Sequence, residues 1–462
     1  MNVFFKRKQC LLFILLCSML VVNAQQKNMY SLSMLVDSAS IHYPQLLQKK
    51  ALVNSSLATI KDVRNSYLPS LNISDEVNIA SANQLPGTSL PMEIIPSISG
   101  GTRSSNNNQA AVANIGVLYS EYLLEDFGLK RAKINSATSF SKVQTADLLR
   151  TGFSVKAAIT QTYLQLVQTT LRENAERKNI ERYQYIFKLI KSITKSGINP
   201  GVDSSQAKAE LSKARSGYNL IAGATKQLKD ELSFYTGIAP DKITADTTAP
   251  LLATEINHIQ TDMDTIHHPF IDYYNSRKDY EIAKGKLIGK SFLPKVVLAG
   301  TVWAKGSSIS YNDHYNSLES GLDYTRFNYA AGVSIVYDLF NSIHKSDKLK
   351  INRYETEAAN YELEQQKLSL HTALIQSDDA IKTAELNLVE LPIQMNSAKE
   401  VYQQKVAQYK AGIISLIDLT NASFVLYRSE TDYIDAMNSW YKAILNKAIA
   451  TNNLDSFIKQ IK

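Results

Sequence analysis

The residues most suited to chemistry lie in the segment DMDTIHHPF, residues 262–270. Carboxylates and imidazoles at such short spacings are typical ligands of a divalent metal. The segment nevertheless begins a helical stretch that occurs twice in the chain, and the other copy keeps only His42. We therefore expect no metal and no cofactor, and the sequence lacks the GxSxG, HExxH, Walker and GxGxxG motifs of common enzyme classes. The four candidate ligands are Asp262, Asp264, His267 and His268.

The N-terminus has the composition of an export signal. A basic KRK motif precedes an apolar run and a cleavage pattern that ends at Ala24, so we assign residues 1–24 as a signal peptide. Both cysteines, Cys10 and Cys17, lie within it, and the mature chain therefore has no thiol for a disulfide or a metal. The same motif supplies three charges of the formal net charge of +7. The remaining charge, 7 − 3 or about +4, is too small to indicate nucleic-acid binding.

Two parts of the chain repeat each other. The motif SYLPSLNI, which starts at Ser66, recurs as SFLPKVVL from Ser291, and the turn sequence KSGINPGVD recurs as KAGIISLID. Ordered matches of this kind indicate an internal duplication. We predict one repeat over residues 25–240, a linker over residues 241–262 and a second repeat over residues 263–462.

Each repeat has the order helix, strand, strand, helix. The first helix ends at a Leu-Pro dipeptide, because proline cannot continue the hydrogen-bond ladder. Two stretches of alternating apolar and polar residues follow, which predict strands with one apolar and one polar face. A very long helix follows, and after a turn the chain runs back as a shorter helix. Such pairs favour coiled-coil hairpins. The predicted helices cover residues 29–66, 129–196, 203–236, 263–291, 344–411 and 416–452, and the alternating stretches cover residues 71–79, 113–119, 297–303 and 329–339.

The four strands have the length that a tilted strand needs to cross a bilayer. Four strands cannot close a barrel, and an open edge in lipid leaves unpaired backbone groups that cost several kcal/mol each. Closure therefore requires a homo-oligomer, and the residues themselves allow a dimer or any larger assembly. Aromatic residues near the strand ends suit either an interfacial girdle or ordinary core packing.

The ordered set of features resembles the TolC family of outer-membrane efflux proteins over essentially all of the mature chain. The motifs are YLPSL and FLPKV before the first strands, GVSIVYDLFN after the last strand, and YKAGIISLIDLTNASFVLYRSETDY at a helix turn. The resemblance implies a mainly α fold with a small membrane β-barrel portion. It implies a homotrimer with a twelve-stranded β-barrel and a long periplasmic coiled-coil α-barrel.

The implied function is a passive outer-membrane channel of a tripartite efflux or type I secretion system in a Gram-negative bacterium. Its partners would be a periplasmic adaptor protein and an inner-membrane pump, which supplies the energy. The alternative is a soluble periplasmic coiled-coil scaffold or adaptor, but such a protein has no need for two pairs of alternating strands.

The resemblance also assigns functional residues to the helix turns. An aspartate after each turn glycine, Asp203 and Asp418, would lie in a constricted entrance, where a ring of carboxylates selects cations. Tyr409 would bond Asp203 as a latch. Asn421 stands where the family has a second aspartate and Ile414 where it has an arginine, which implies a weaker latch and a single acidic ring. Helix N-capping is the alternative role for both aspartates.

The two turns themselves have a structural and a functional interpretation. The simplest interpretation of Gly197 and Gly412 is that they are turn residues that tolerate a positive φ. The resemblance implies that these turns, with the neighbouring Ile198 and Ile413, dock the adaptor.

Overall fold

A computed structural model describes residues 30–83, 105–195, 201–247 and 267–461. The predicted signal peptide, the turn residues Gly197 and Ile198 and most of the predicted linker lie outside these ranges. Contacts divide the chain into two compact units. The helical unit comprises Met1–Val53, Val143–Ser276 and Asn360–Lys462, and the strand-bearing unit comprises Asn54–Lys142 and Arg277–Ala359.

The observed elements follow the predicted order in both repeats. The first contains α1 (Leu32–His42), α2 (Pro44–Asn65), β1 (Ser70–Ala80), β2 (Ala111–Glu125), α3 (Leu129–Lys195) and α4 (Gly201–Thr236). The second contains α5 (Pro269–Ser291), β3 (Lys295–Ser307), the short β4 (Ile309–Ser310) and β5 (His314–Tyr315), β6 (Arg326–Val336), α6 (Asn341–Lys410), α7 (Leu416–Ala450) and α8 (Leu454–Gln460).

Prolines account for most of the differences from prediction. The single helix predicted over residues 29–66 is wrong, because Tyr43 has an extended backbone and Pro44 begins a new helix. A proline disfavours helical geometry in the residue before it, and it fits the first helical position because its missing N–H has no partner there anyway. Pro269 likewise begins α5, whereas α6 continues through Pro392 as predicted. The short helix α8 was not predicted.

The four long strands form one antiparallel sheet in the order β1, β2, β3, β6. Ile73 lies opposite Leu118, Leu118 opposite Val302, and Val302 opposite Tyr329. Directly opposite residues point to the same face, so one apolar row crosses the whole sheet. Every residue of β1 and β6 is exposed, and neither strand has a second partner strand within the described part of the chain.

The central strands β2 and β3 lack the one polar face that alternation predicted. The apolar residues that marked β2 and β3, such as Val117 and Trp303, pair with the polar Ser74 and Asn328 rather than with the Ile73 row. They therefore lie on the opposite face. Apolar residues occupy both faces of these two strands, and alternation alone does not tell which face is shared with the edge strands.

A tyrosine explains the one acidic residue that interrupts the apolar row of β1. Asp75 lies opposite Gly116, and the Tyr324 hydroxyl donates a hydrogen bond of 2.6 Å to its Oδ1. A Cβ at Gly116 would lie 2.5 Å from the Tyr324 oxygen, so the glycine leaves room for this contact. The carboxylate thus has a specific partner on the face where the pattern predicted an apolar side chain.

The helical unit has its own hydrophobic core. Its most completely buried large side chains come from α1, α3, α4 and α8, and each such side chain contributes about 1.5–3 kcal/mol when removed from water. The set includes Leu32, Leu35, Ile159, Tyr163, Leu166, Leu232 and Phe457. Among the described residues, no helix is both long enough and apolar enough to span a membrane.

Candidate functional site

The turn between α6 and α7 is a Schellman motif centred on Gly412. The Ile413 N–H donates to the Gln408 carbonyl at 3.0 Å, and the Gly412 N–H donates to the Tyr409 carbonyl at 3.0 Å. Gly412 has a φ of 74°, which only glycine adopts without strain. These bonds satisfy the last carbonyls of α6, so the structural interpretation of this glycine is confirmed.

The next helix begins with a capping box. The Asp418 amide donates to the Ser415 Oγ at 3.3 Å, while the Ser415 amide and hydroxyl donate to Asp418 Oδ2 at 3.1 and 2.7 Å. These bonds from Ser415, first its hydroxyl and then its amide, hold the pKa of the exposed Asp418 carboxyl below its usual value. Asp418 therefore caps α7 and carries a negative charge at neutral pH.

Both helix hairpins meet in one hydrophobic cluster at their turn ends. The cluster joins residues of α3 and α4, such as Ile186 and Leu211, to Tyr409 of α6 and Leu419 of α7. Tyr409 is only 4% exposed, and Ile414 packs against the same cluster. Ile414, at the position where the resemblance implied an arginine, thus has an apolar environment here.

The other predicted residues lie around this cluster. Asp203 is in the first turn of α4 and is half-buried. Asn421 is exposed on α7, and Ile413 is 72% exposed at the turn. Gly197 and Ile198 lie outside the described residues, so the structure gives no geometry for the first turn.

An ion pair that the sequence analysis missed joins the two hairpins near their ends. Arg182 of α3 donates two hydrogen bonds to Glu430 of α7, with Nη1 to Oε1 at 3.0 Å and Nη2 to Oε2 at 2.8 Å. The side chains are only 12% and 19% exposed. A bidentate guanidinium–carboxylate pair fixes both distance and orientation, so this contact sets how α3 and α7 align.

Further polar contacts continue along the same two helices. The Tyr427 hydroxyl donates to Glu176 Oε1, and Arg172 Nη2 lies 2.9 Å from Asp435 Oδ2. Burial and then the bond to Glu176 raise the pKa of Tyr427. Glu176 itself is only 5% exposed, and the neighbouring Asn179 has an Oδ1 atom that is buried without a hydrogen-bond partner in the described structure.

A signal for these residues exists in the sequence. Glu176, Asn179, Tyr183, Ile186 and Ile190 follow one another at alternating spacings of three and four residues, and all five are buried. Such spacing marks the seam of a coiled coil. Polar residues at seam positions could have been recognised as interhelical contacts.

One histidine of the possible metal segment, His268, has another role. The His268 Nε2 donates to the Ile449 carbonyl at 2.9 Å, and its Nδ1 accepts from the Phe270 amide at 3.2 Å. Burial lowers the pKa of His268, so the ring is neutral and both nitrogens are already used. Asp262 and Asp264 lie outside the described residues, which contain no group of three or more side chains placed to hold a metal ion.

Comparison with known protein families gives a match in both halves of the chain. The sequence profile of the outer membrane efflux protein family matches residues 35–238 and 283–446. Comparison with curated protein sequences gave no match.

Solved structures share the fold at low sequence identity. VceC from Vibrio cholerae is 15% identical, with a TM-score of 0.71 over 91% of this chain and 95% of that one. The Campylobacter jejuni channel CmeC is 17% identical, with a TM-score of 0.72 over 93% and 90%. The outer-membrane channel OprN is 18% identical, with a TM-score of 0.72 over 91% and 90%. The family profile covers more than half of the chain, and the solved channel structures share its fold. This chain therefore belongs to the outer membrane efflux protein family.

Proposed function

We propose that this outer-membrane efflux channel is a homotrimer whose sheets close into a twelve-stranded barrel and whose long helices form a periplasmic α-barrel. The observation that carries the proposal is the four-stranded sheet, whose two edge strands are fully exposed and carry apolar rows. Unpaired edges are costly in lipid, and pairing β1 of one copy with β6 of the next removes them. The repeats over residues 25–240 and 263–462 then supply two strands each.

The channel is a passive duct in this proposal. An inner-membrane pump and a periplasmic adaptor deliver the substrate and the energy, because the sequence has no nucleotide-binding motif and no enzyme motif. The turn at Gly412 and Ile413 suits adaptor docking. Ile413 is exposed. Apart from Gly412 and its two chain neighbours, no described residue has an atom within 4 Å of the space where a Cβ of Gly412 would stand, so another chain has access to the turn.

The capping and entrance roles of Asp418 are compatible. The same hydrogen bonds that cap α7 keep the carboxylate ionised and hold it in position. Three copies of Asp418 and three of Asp203 would give the entrance a negative potential that favours cations. Tyr409 would latch the entrance through Asp203 of the first turn.

Single-channel conductance in a planar bilayer tests the entrance. We expect Asp418→Asn to reduce cation selectivity, because asparagine keeps an acceptor for the cap and removes the charge. The matched variant Asn421→Asp adds a carboxylate on the same helix and should increase selectivity. Tyr409→Phe should raise the conductance by weakening the latch.

The outcomes separate the channel from its gate. A wild-type protein that conducts widely with no ion preference would leave the duct intact and remove the assignment of the entrance residues. A purified protein that never conducts would contradict the duct itself.

A further inference from the structure

The strand-bearing unit contains an open groove of about 550 Å³ between the start of α3 and the end of α5. The chain enters α3 from β2 and leaves α5 into β3, and these two strands are paired neighbours with Glu125 opposite Val296. The two helix ends therefore lie side by side at one end of the sheet, and the groove extends from this junction along both helices.

Positive charge is concentrated at the sheet end of the groove. Arg131 lies in the first turn of α3, and Lys286 and Lys290 lie in the last two turns of α5. The Nζ of Lys290 is 3.9 Å from the position that a Cβ of Gly128 would take, which places this ammonium at the start of α3. Lys142 and the acidic Asp279 line the opposite end of the groove.

These basic side chains have no partner within the described residues. No side-chain hydrogen bond or ion pair within the described residues involves Arg131, Lys142, Lys286 or Lys290. In contrast, the Lys284 ammonium contacts Glu281 and Glu355 at 3.2 and 2.6 Å. Like charges close together without counterions repel, and an anionic ligand relieves that repulsion.

The surroundings reinforce the positive potential. Lys130 and Lys133 place their ammonium groups 5.2 and 5.4 Å from the ring centre of Tyr67, and Lys295 begins β3. The nearby acid Asp126 is used as a helix cap, since its oxygens accept from the amides of Gly128 and Lys130.

We propose that this groove binds the phosphate of an anionic phospholipid headgroup in the leaflet that the helices face. The inference rests on the proposed function, in which the sheet spans the outer membrane and its helix end lies at the periplasmic surface. Basic pockets at that depth suit lipid headgroups. Arg131, Lys286 and Lys290 would bind the phosphate oxygens, and Asn135 and Ser139, which also line the groove, would bind headgroup hydroxyls.

Native mass spectrometry of the full-length assembly tests this binding. The protein in a neutral detergent is mixed with dioleoylphosphatidylglycerol or dioleoylphosphatidylcholine, and the retained lipid is counted. We expect the wild type to retain phosphatidylglycerol preferentially. Lys286→Gln/Lys290→Gln should weaken that preference about 25-fold, since each basic side chain near an anionic surface contributes about fivefold.

Two control variants make the result specific. Lys382→Gln/Lys399→Gln removes two exposed lysines from α6, far along the sequence from the groove, and should keep the wild-type preference. Lys286→Arg/Lys290→Arg keeps the charge and should restore binding. Added inorganic phosphate identifies the source of the ligand, because a headgroup site loses little phosphatidylglycerol to it, whereas a free-phosphate site is emptied.

The contradicting results are equally specific. Three results would overturn the lipid site. The wild type could retain both lipids equally, the Gln variant could retain as much phosphatidylglycerol as the wild type, or inorganic phosphate could displace all of the bound phosphatidylglycerol. The Gln variant is expected to form the wild-type channel in a planar bilayer. A wild type that inserts and conducts without a lipid preference removes only the groove proposal, and one that does not insert removes the proposed function.

Discussion

At the scale of single residues, buried polar side chains determine how the hairpins align. The seam of α3 changes from apolar residues, such as Ile186, to the polar Asn179 and Glu176, and Arg182 lies beside it. Apolar seams tolerate shifts along the helix axis, whereas a polar group needs one specific partner. The pairing of Arg182 with Glu430 therefore favours a single register between α3 and α7.

Removing one partner of this ion pair should destabilise the helical unit. Arg182→Ala leaves the Glu430 carboxylate largely buried without a counterion, which costs about 3 kcal/mol in the free energy of unfolding. The double variant Arg182→Met/Glu430→Leu should recover most of that loss. Urea unfolding followed by circular dichroism provides the measurement.

An exposed ion pair serves as the control for that prediction. Lys367 and Glu364 on α6 are both about half exposed, at 50% and 53%. Lys367→Ala should therefore change the free energy of unfolding by less than about 0.5 kcal/mol. Equal effects of Arg182→Ala and Lys367→Ala would show that the buried pair has no special role.

At the scale of elements, the boundaries are set by local backbone chemistry. Pro44 and Pro269 begin helices, Ser415 and Asp418 cap α7, and Gly412 closes α6. Each of these residues acts on its immediate neighbours in the chain. For this reason element limits were largely predictable, although the break at Tyr43 was overlooked.

Two glycines in similar open surroundings should respond to alanine in opposite directions. Gly412 has a positive φ, so Gly412→Ala should reduce stability by about 1 kcal/mol. Gly152 lies inside α3, and Gly152→Ala should increase stability by about 0.5–1 kcal/mol. Apart from adjacent residues and the local helix backbone, a Cβ meets no atom of the described residues within 4 Å at either position, so tertiary packing does not contribute. Thermal unfolding of both variants is the test, and a change of the same sign in both would contradict the backbone argument.

At the scale of the whole molecule, the sheet ends in two strand edges, on β1 and β6, that have no partner strand in the described part of the chain. Its exposed apolar row includes Ile73 and Tyr329, which are both 85% exposed. Exposed apolar rows and free strand edges together indicate contact with lipid and with further strands. The proposed assembly of several copies would satisfy both requirements for this outer-membrane protein.

Disulfide cross-linking should reveal three copies linked edge to edge. The two cysteines of the sequence, Cys10 and Cys17, both lie in the predicted signal peptide. Asn72→Cys on β1 can therefore be combined with a cysteine at Asn328, Ala330 or Ser334 on the same face of β6. We expect one combination to give a covalent trimer on oxidation, with Asn72→Cys alone giving none. Light scattering in detergent should give the mass of three chains, and a dimer mass would refute the twelve-stranded barrel.

The sequence by itself determined the local features of this protein. Its long helices, its strands and the turn at Gly412 follow from periodicity and from proline and glycine chemistry, which act over a few neighbouring residues. The capping alternative for Asp418 belongs to this class and is confirmed.

The tertiary structure alone decided the features that join distant residues. It assigned the faces of β2 and β3, paired Asp75 with Tyr324, and matched Arg182 with Glu430 across 248 positions. It also brought Arg131, Lys286 and Lys290 to one groove. Each of these depends on register between elements that are remote in sequence, and a periodic pattern is satisfied by several registers. Packing and specific polar contacts select one of them.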